Sequence, residues 1–538
     1  MIVTEILHKN KVPVFIACIQ WFLTTIFQVD RLFFVYDTEN SLFLLVKALY
    51  FILLLIFWIF VFDVYDKIKI HDKMYKRGLY IFSVYFAIIM LLLLALWPGT
   101  WSWDDAWDLI AEQSYDWTAW QHILTGIYQQ VLLQILPFPG GIILLQNAGI
   151  ALCVAYVITK LEYSFAIPMI GNKYIDTIIK LLPFLTPPVL MYQFSGYRMG
   201  PYVYIELVML VAWLCAIKDQ QEWSWQYIIL FSVLCAVTAV WRTESLFYIP
   251  FVCVSMFFTK KEVLPKFKKA ICILLVLCIY FGINHVQTAK LGNNSYKLVS
   301  ILNPCVELIR IADQETDKAI LDDIAVTLNM DVIYKHPEIS GTGLYPAIIK
   351  QEHTDEDYHN CLVAFVKLCI KYPQIVIRER TALFIKASGI TGDSITNMEW
   401  IYSFYDSDNE IPPSIRVQEA GWITNQPAFP VMRKRLINLL NMRIGGHVFV
   451  LYRIVWNVMI PIIVLLFAWC ILLKNKQWWF VIVATAVLAR APVVFLTEPS
   501  GWFMYWLSFY FIGYVVLVYG LLFYRGKYLR KKGDVTNE

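Results

Sequence analysis

The chain has 538 residues, of which 59% are hydrophobic, 16% aromatic and only 16% charged. Soluble domains carry about 25% charged residues. With a mean hydropathy of +0.58, this composition excludes a cytosolic enzyme, a disordered chain and a nucleic-acid binder. The net charge of +4 acquires meaning only when sorted by side of a membrane.

A membrane span needs about 20 apolar residues. In chain order, about twelve such stretches are predicted: 12–29, 41–64, 78–97, 139–158, 175–195, 200–217, 225–241, 245–259, 270–290, 446–473, 477–497 and 502–524. Pro183, Pro187 and Pro188 interrupt the fifth, and Arg242 and Glu244 join the short seventh and eighth. The first follows Lys9 and Lys11 with no small-residue cleavage site after it, which predicts an anchor and not a removed signal. The fold class is therefore an all-α polytopic membrane protein.

Lys and Arg set the expected orientation. With the N-terminus in the cytoplasm, one side holds Lys67, Lys69, Lys73, Lys76 and Arg77, then Lys260, Lys261, Lys266, Lys268 and Lys269, then the basic tail from Arg525 to Lys532. The short loops of the other side hold only Arg31, Arg198 and Arg242, and 98–138 has no Lys or Arg. Both termini are expected inside a plasma membrane.

This divides the chain into a transmembrane part, 1–290, with a catalytic outer loop 98–138, then an extracellular, mainly helical domain, 291–445, and C-terminal spans, 446–538. The outer domain is acidic, with helical apolar spacing in 360–372 and loops at Gly341, Gly343, Pro412 and Pro413. Its basic end, Arg433, Lys434, Arg435 and Arg443, suits a lipid headgroup or a ligand phosphate. Of eleven Cys, eight lie in apolar stretches and only Cys305, Cys361 and Cys369 in the polar segment. No disulfide framework follows from that pattern.

The chemistry concentrates in 97–122, WPGTWSWDDAWDLIAEQSYDWTAWQH. Asp104, Asp108 and Glu112 recur every four residues and share one helical face, while Trp103, Trp107 and Ile110 form a stripe suited to the bilayer surface. Asp105 and Asp116 add charge, and no cation neutralises it locally. Acids crowded beside tryptophans at a membrane surface have perturbed pKa values, a mark of functional sites. The alternative is a plain interfacial helix. The DDxxD pattern Asp104-Asp105-Ala106-Trp107-Asp108 also allows a divalent metal on hard oxygen ligands.

The run Trp97-Pro98-Gly99, four residues, then Asp104 resembles the aromatic-Pro-Gly-x4-Asp signature of bacterial GT-C-type glycosyltransferases. His122 sits where that family tends to show a downstream histidine. Trp241-Arg242-Thr243-Glu244 resembles its Arg-x-acid joint, Glu498-Pro499 through Met504-Tyr505 its Pro…Met-Tyr pattern, and 375–387 the helical part of its outer domain. The resemblance implies a polytopic enzyme with membrane-surface helices after the third span. It would move a sugar from an undecaprenyl-type polyprenyl phosphate to a cell-envelope polymer or lipid on the outer face. Asp104 would be the catalytic acid, with Asp105, His122, Glu244 and Tyr505 lining the substrate site.

The chemistry itself asks for little more. An acceptor hydroxyl needs one carboxylate as general base for an inverting displacement. The departing phosphate needs positive charge, which Arg supplies with several fixed donors. Candidates are Arg198, Arg242 and Arg490, with Arg453 a weaker fourth. Arg490 lies inside a predicted span, where a charge is costly and marks a functional cavity or a structural ion pair with Glu244 or Glu498. Two rival functions remain: a flippase or transporter of lipid-linked sugars, and a polysaccharide polymerase or ligase using a diphosphate-linked donor. Inverted repeats are not visible, which argues against the transporter. No Walker loop, metal-binding Cys/His spacing or serine nucleophile elbow is present in the sequence.

Overall fold

The computed structural model describes residues 10–34, 41–101, 103–117, 121–291, 298–350, 354–391, 427–444, 447–448 and 450–532. The chain is all-helical among these residues, apart from a hairpin of two-residue strands, β1 (Arg443–Ile444) and β2 (His447–Val448). Helices α1 (Lys11–Ile26), α2 (Ser41–Lys69) and α3 (Lys73–Leu96) come first. Asp72 starts α3 by accepting the N–H groups of Met74 at 2.9 Å and Tyr75 at 3.2 Å, which satisfies donors orphaned at a helix start.

Pro98 cannot continue α3, and Gly99, at φ +97°, turns the chain. A β-carbon on Gly99 would stand 2.8 Å from the Phe194 carbonyl oxygen and 2.7 Å from Ile143 Cγ1. Both the dihedral and the close backbone approach therefore require glycine. After the turn come two shorter helices, α4 (Trp103–Gln113) and α5 (Ile123–Leu133).

The bundle continues with α6 (Pro139–Ser164), α7 (Lys173–Leu181), α8 (Pro187–Gln193), α9 (Met199–Asp219), α10 (Trp225–Trp241), α11 (Tyr248–Phe258) and α12 (Lys266–Leu291). The polar segment contributes α13 (Val299–Ile311), α14 (Lys318–Ala325), α15 (Met330–Lys335), α16 (Asp355–Lys371), α17 (Pro373–Ala387) and α18 (Pro430–Leu440). The last helices are α19 (Tyr452–Val455), α20 (Met459–Lys474), α21 (Trp478–Leu488), α22 (Arg490–Thr497) and α23 (Leu507–Lys532).

Among the described residues, eight helical stretches are long and apolar enough to cross a membrane: Leu42–Lys69, Lys73–Leu96, Pro139–Ser164, Met199–Asp219, Lys266–Lys290, Tyr452–Lys474, Trp478–Thr497 and Phe503–Arg530. Each coincides with a stretch expected from sequence. The proline-rich fifth stretch is a pair of helices, Lys173–Leu185 and Pro187–Gln193, bent by 69°. The remaining three, Lys11–Ile26, Trp225–Trp241 and Thr243–Phe258, are apolar but shorter. A second bent pair, Asp355–Lys371 with Pro373–Ala387 at 98°, lies in the polar segment. The protein is a multi-pass membrane protein, with eight such helices among the described residues and up to ten if each bent pair is one span.

The spans bury one side and leave the other apolar. Tyr85, Ile89 and Leu93 of α3 are buried, while Leu91 and Leu94 are exposed, as expected of a helix facing lipid on one side. At one end of the bundle a four-charge network ties three helices. Arg77 meets Glu162 at 2.8 Å and Asp176 at 2.6 Å, and Lys180 meets Glu162 at 2.7 Å and Asp176 at 2.8 Å. Two cations against two anions leave no net buried charge.

The polar segment has its own core, including Leu302, Cys305, Ile309, Ile324, Cys361 and Leu368. All eleven cysteines are free. The segment is stitched to the end of α22: Asn303 Nδ2 donates to the Pro499 carbonyl at 2.7 Å, and Arg380 donates to the Glu498 carbonyl at 2.5 Å and, within the segment, to that of Ser300 at 3.1 Å. Pro412 and Pro413, expected as loop markers, lie outside the described residues.

Candidate functional site

The Pro-Gly turn is clasped by the segment after α8. Thr100 N–H donates to the Phe194 carbonyl at 2.8 Å, and Gly196 N–H returns to the Thr100 carbonyl at 3.2 Å. Gln129 of α5 donates to the Gly196 carbonyl at 2.9 Å. A β-carbon on Gly196 would meet the Trp101 ring at 2.5 Å and Asp105 Cβ at 3.2 Å. Thus α4, α5 and the 194–198 segment close on one another just beyond the turn.

Within α4 the buried acids are Asp105, Asp108 and Glu112, at 1%, 4% and 1% exposure. Their spacing of three and four residues puts them on one face. The sequence reading favoured the overlapping register 104-108-112. Asp104 belongs to the same helix, and its side chain lies outside the described residues. Both oxygens of the Glu112 carboxyl are buried without a hydrogen-bond partner. Burial, with Asp108 and Asp105 beside it, pushes Glu112 well above the usual carboxylate range. Its proton is therefore held more tightly than that of an ordinary carboxyl group.

His122 caps α5. Its Nδ1 accepts the Leu124 N–H at 3.3 Å, so Nε2 carries the proton, and that nitrogen is buried without a partner. Burial, followed by the charge of Arg198, lowers the imidazole to about 4. At neutral pH His122 is neutral, a donor and not a cation. A cavity of about 10 Å³ lies between Asp108, Glu112, Trp117, Gln121, His122, Ile123 and Gly126, room for about one water. Trp117 Nε1 donates to Gln130 Oε1 at 3.0 Å, closing its wall.

The other expected residues form a second cluster. Arg490 is 1% exposed and pairs with Glu206 of α9, which is fully buried. Tyr248 OH donates to the same Glu206 Oε1 at 2.6 Å and accepts from Arg490 at 2.9 Å. Arg242 grips Glu244 Oε1 through Nε and Nη2, each at 2.6 Å, and its guanidinium lies over the Tyr505 ring at 5.5 Å. Arg490 Nη2 reaches Glu244 at 3.9 Å. Two arginines and two glutamates balance.

Comparison with protein-family models, curated proteins and solved structures finds no match. The site therefore rests on its own geometry.

The two clusters touch. Trp241, beside Arg242, donates from Nε1 to Thr125 Oγ1 of α5 at 3.0 Å, and its ring lies edge-on to Tyr202 at 6.3 Å. Tyr202 in turn hydrogen-bonds Ser245. So Asp105, His122 and Arg198 gather at α4 and α5, and Arg242, Glu244, Arg490 and Tyr505 gather behind them. Arg453 is exposed and bears no described contact to either cluster.

Sequence reasoning missed Glu206, because an acid seven residues into an apolar span carries no motif. It read Arg490 as a phosphate ligand, with an ion pair to Glu244 or Glu498 as the alternative; Arg490 is ion-paired, closely with Glu206 and more distantly with Glu244. Glu498 instead accepts from Trp506 Nε1 at 2.7 Å. Among the basic residues before the last spans, Arg433 is buried and donates to the carbonyls of Leu96 at 3.2 Å and Gly99 at 2.5 Å. It caps the end of α3 and holds the Pro-Gly turn. No group of three or more His, Cys, Asp or Glu suited to a metal occurs among the described residues; the Asp104-Asp105-Asp108 grouping includes a side chain outside them.

Proposed function

We propose that the protein is a membrane glycosyltransferase of the GT-C type, with about twelve spans, acting on a polyprenyl-phosphate sugar and a cell-envelope acceptor. The observation that carries the reading is the buried acidic face of α4, with three carboxyl groups beside His122, directly after the Pro-Gly turn. Arg198, whose charge bears on His122, supplies positive potential at the same place. Few structural roles call for so many acids on one buried face.

In the proposed reaction the acceptor hydroxyl oxygen attacks the anomeric carbon. The bond from that carbon to the phosphate oxygen breaks, and polyprenyl phosphate leaves with the electron pair. The hydroxyl proton passes to the carboxylate of Asp104 as general base. Asp105 and Asp108 raise the negative potential that keeps such a base proton-hungry. Neutral His122 donates from Nε2 to a sugar or phosphate oxygen, and Arg198 offsets the phosphate charge. Arg242 and Arg490, already paired with Glu244 and Glu206, shape the wall behind. The site faces outward in this reading, by the Lys/Arg asymmetry.

The test is donor use by the purified chain in nanodiscs. Release of polyprenyl phosphate from a radiolabelled monophosphate sugar is expected, with no turnover of a diphosphate-linked oligosaccharide. Turnover of the diphosphate donor alone would favour the polymerase reading. Single cysteines at 116 and 338 should both be labelled from outside intact cells, and protection of one alone would break the topology.

A further inference from the structure

The end of the bundle away from α4 holds a larger cavity. α6, α9 and α23 begin at Pro139, Met199 and Leu507 and all run to this end. A cavity of about 480 Å³ opens there, lined by Ser164, Phe165, Ala166, Lys218, Phe523, Lys527 and Arg530. Its floor is aromatic, with Phe165 and Phe523 edge to face at 6.2 Å. Gly526 lets α23 approach Pro168 closely, since a β-carbon there would lie 2.5 Å from Pro168 Cδ. Three cations line the walls and rim. Asp219, next to Lys218, accepts from the lining Ser164 Oγ at 2.9 Å.

Helix C-termini favour cations by themselves. That accounts for Arg530, which donates to the Ala166 carbonyl at 3.2 Å. It also favours Lys218, in the last turn of α9, but it does not account for Lys527, nor for both lysines lining one space above apolar rings. Positive rim, apolar floor and a position at the ends of membrane helices match one ligand chemistry: a phosphate anion joined to an acyl-bearing tail. We infer that this cavity binds the headgroup of an anionic phospholipid, at the membrane face opposite α4. This site is independent of the transferase reading.

The test uses the detergent-solubilised full chain and its thermal unfolding midpoint, which rises when a ligand binds the folded state. Titration with dioleoyl-phosphatidylglycerol should raise the midpoint to a plateau, and dioleoyl-phosphatidylcholine should not. Lys218→Gln with Lys527→Gln should raise the half-saturating concentration roughly 30-fold, the loss expected for two basic side chains at a lipid surface. Lys218→Arg with Lys527→Arg should keep the parent value. Both lysines are exposed, so the variants fold. Equal effects of the two lipids, or an unchanged half-saturation in the Gln variant, would overturn the site. Glycerol 3-phosphate acting as well as phosphatidylglycerol would overturn the lipid as its source.

Discussion

Two buried polar clusters meet at Trp241, and they obey different rules. Behind it, Arg242 and Arg490 face Glu206 and Glu244, charge for charge, with Tyr248 bridging Glu206 Oε1 and Arg490. In front, Asp105, Asp108 and Glu112 crowd one helical face beside a neutral histidine. A balanced network fixes helices against one another. An acid-rich one raises the proton affinity of its buried carboxyl group and costs stability. In the proposed reading the first is scaffold and the second carries the chemistry.

Breaking the balanced cluster has the largest expected effect. Glu206→Ala leaves Arg490 buried without its carboxylate and should cost about 3–5 kcal/mol, read as loss of folded protein. Replacing both, Glu206→Leu with Arg490→Leu, should restore much of it. If the double variant is as damaged as the single, the cluster is not a simple scaffold.

Glu498 comes next. Burial raises its carboxyl to about 8, against about 4.3 in an unfolded chain. The folded protein therefore keeps a proton that the unfolded chain releases, and stability falls as pH rises from about 4.3 to about 8, by a few kcal/mol at most. Glu498→Gln should flatten the melting midpoint across that window. An unchanged slope would remove Glu498 as its cause.

Gly99→Ala should cost about 1–3 kcal/mol through its positive φ and the contact with Phe194, and should lower activity further by shifting α4. The smallest stability change belongs to Glu112→Gln, under about 1 kcal/mol, because burial and the neighbouring aspartates already disfavour the charged carboxylate and an amide keeps its size. A loss as large as that of Glu206→Ala would erase the distinction between the clusters.

The spans were legible because twenty apolar residues in a row admit few other readings. Three fell short as single helices, and the Pro183–Pro188 stretch broke into a bent pair, where proline removes helix donors. The acidic helix was legible too, and Asp108 and Glu112 of the expected face are buried. Asp104 and Asp105 are neighbours, and spacing alone joins either one to Asp108 and Glu112. The burial of Asp105 beside Gly196 is a tertiary fact absent from local pattern. Arg490 announced itself by being charged within an apolar run, whereas its partner Glu206 is distant in sequence. Arg433 looked like a headgroup contact in a basic run, and its capping of the α3 carbonyls depends on a contact across more than three hundred residues.

The central claim is that α4 carries the base for sugar transfer. Asp104→Asn keeps size and removes the base, so the decisive measurement is the transfer rate of this variant from a polyprenyl-phosphate sugar, alongside its melting midpoint. A fall of about 10² or more with an unchanged midpoint is expected. Full activity in Asp104→Asn would contradict the assignment.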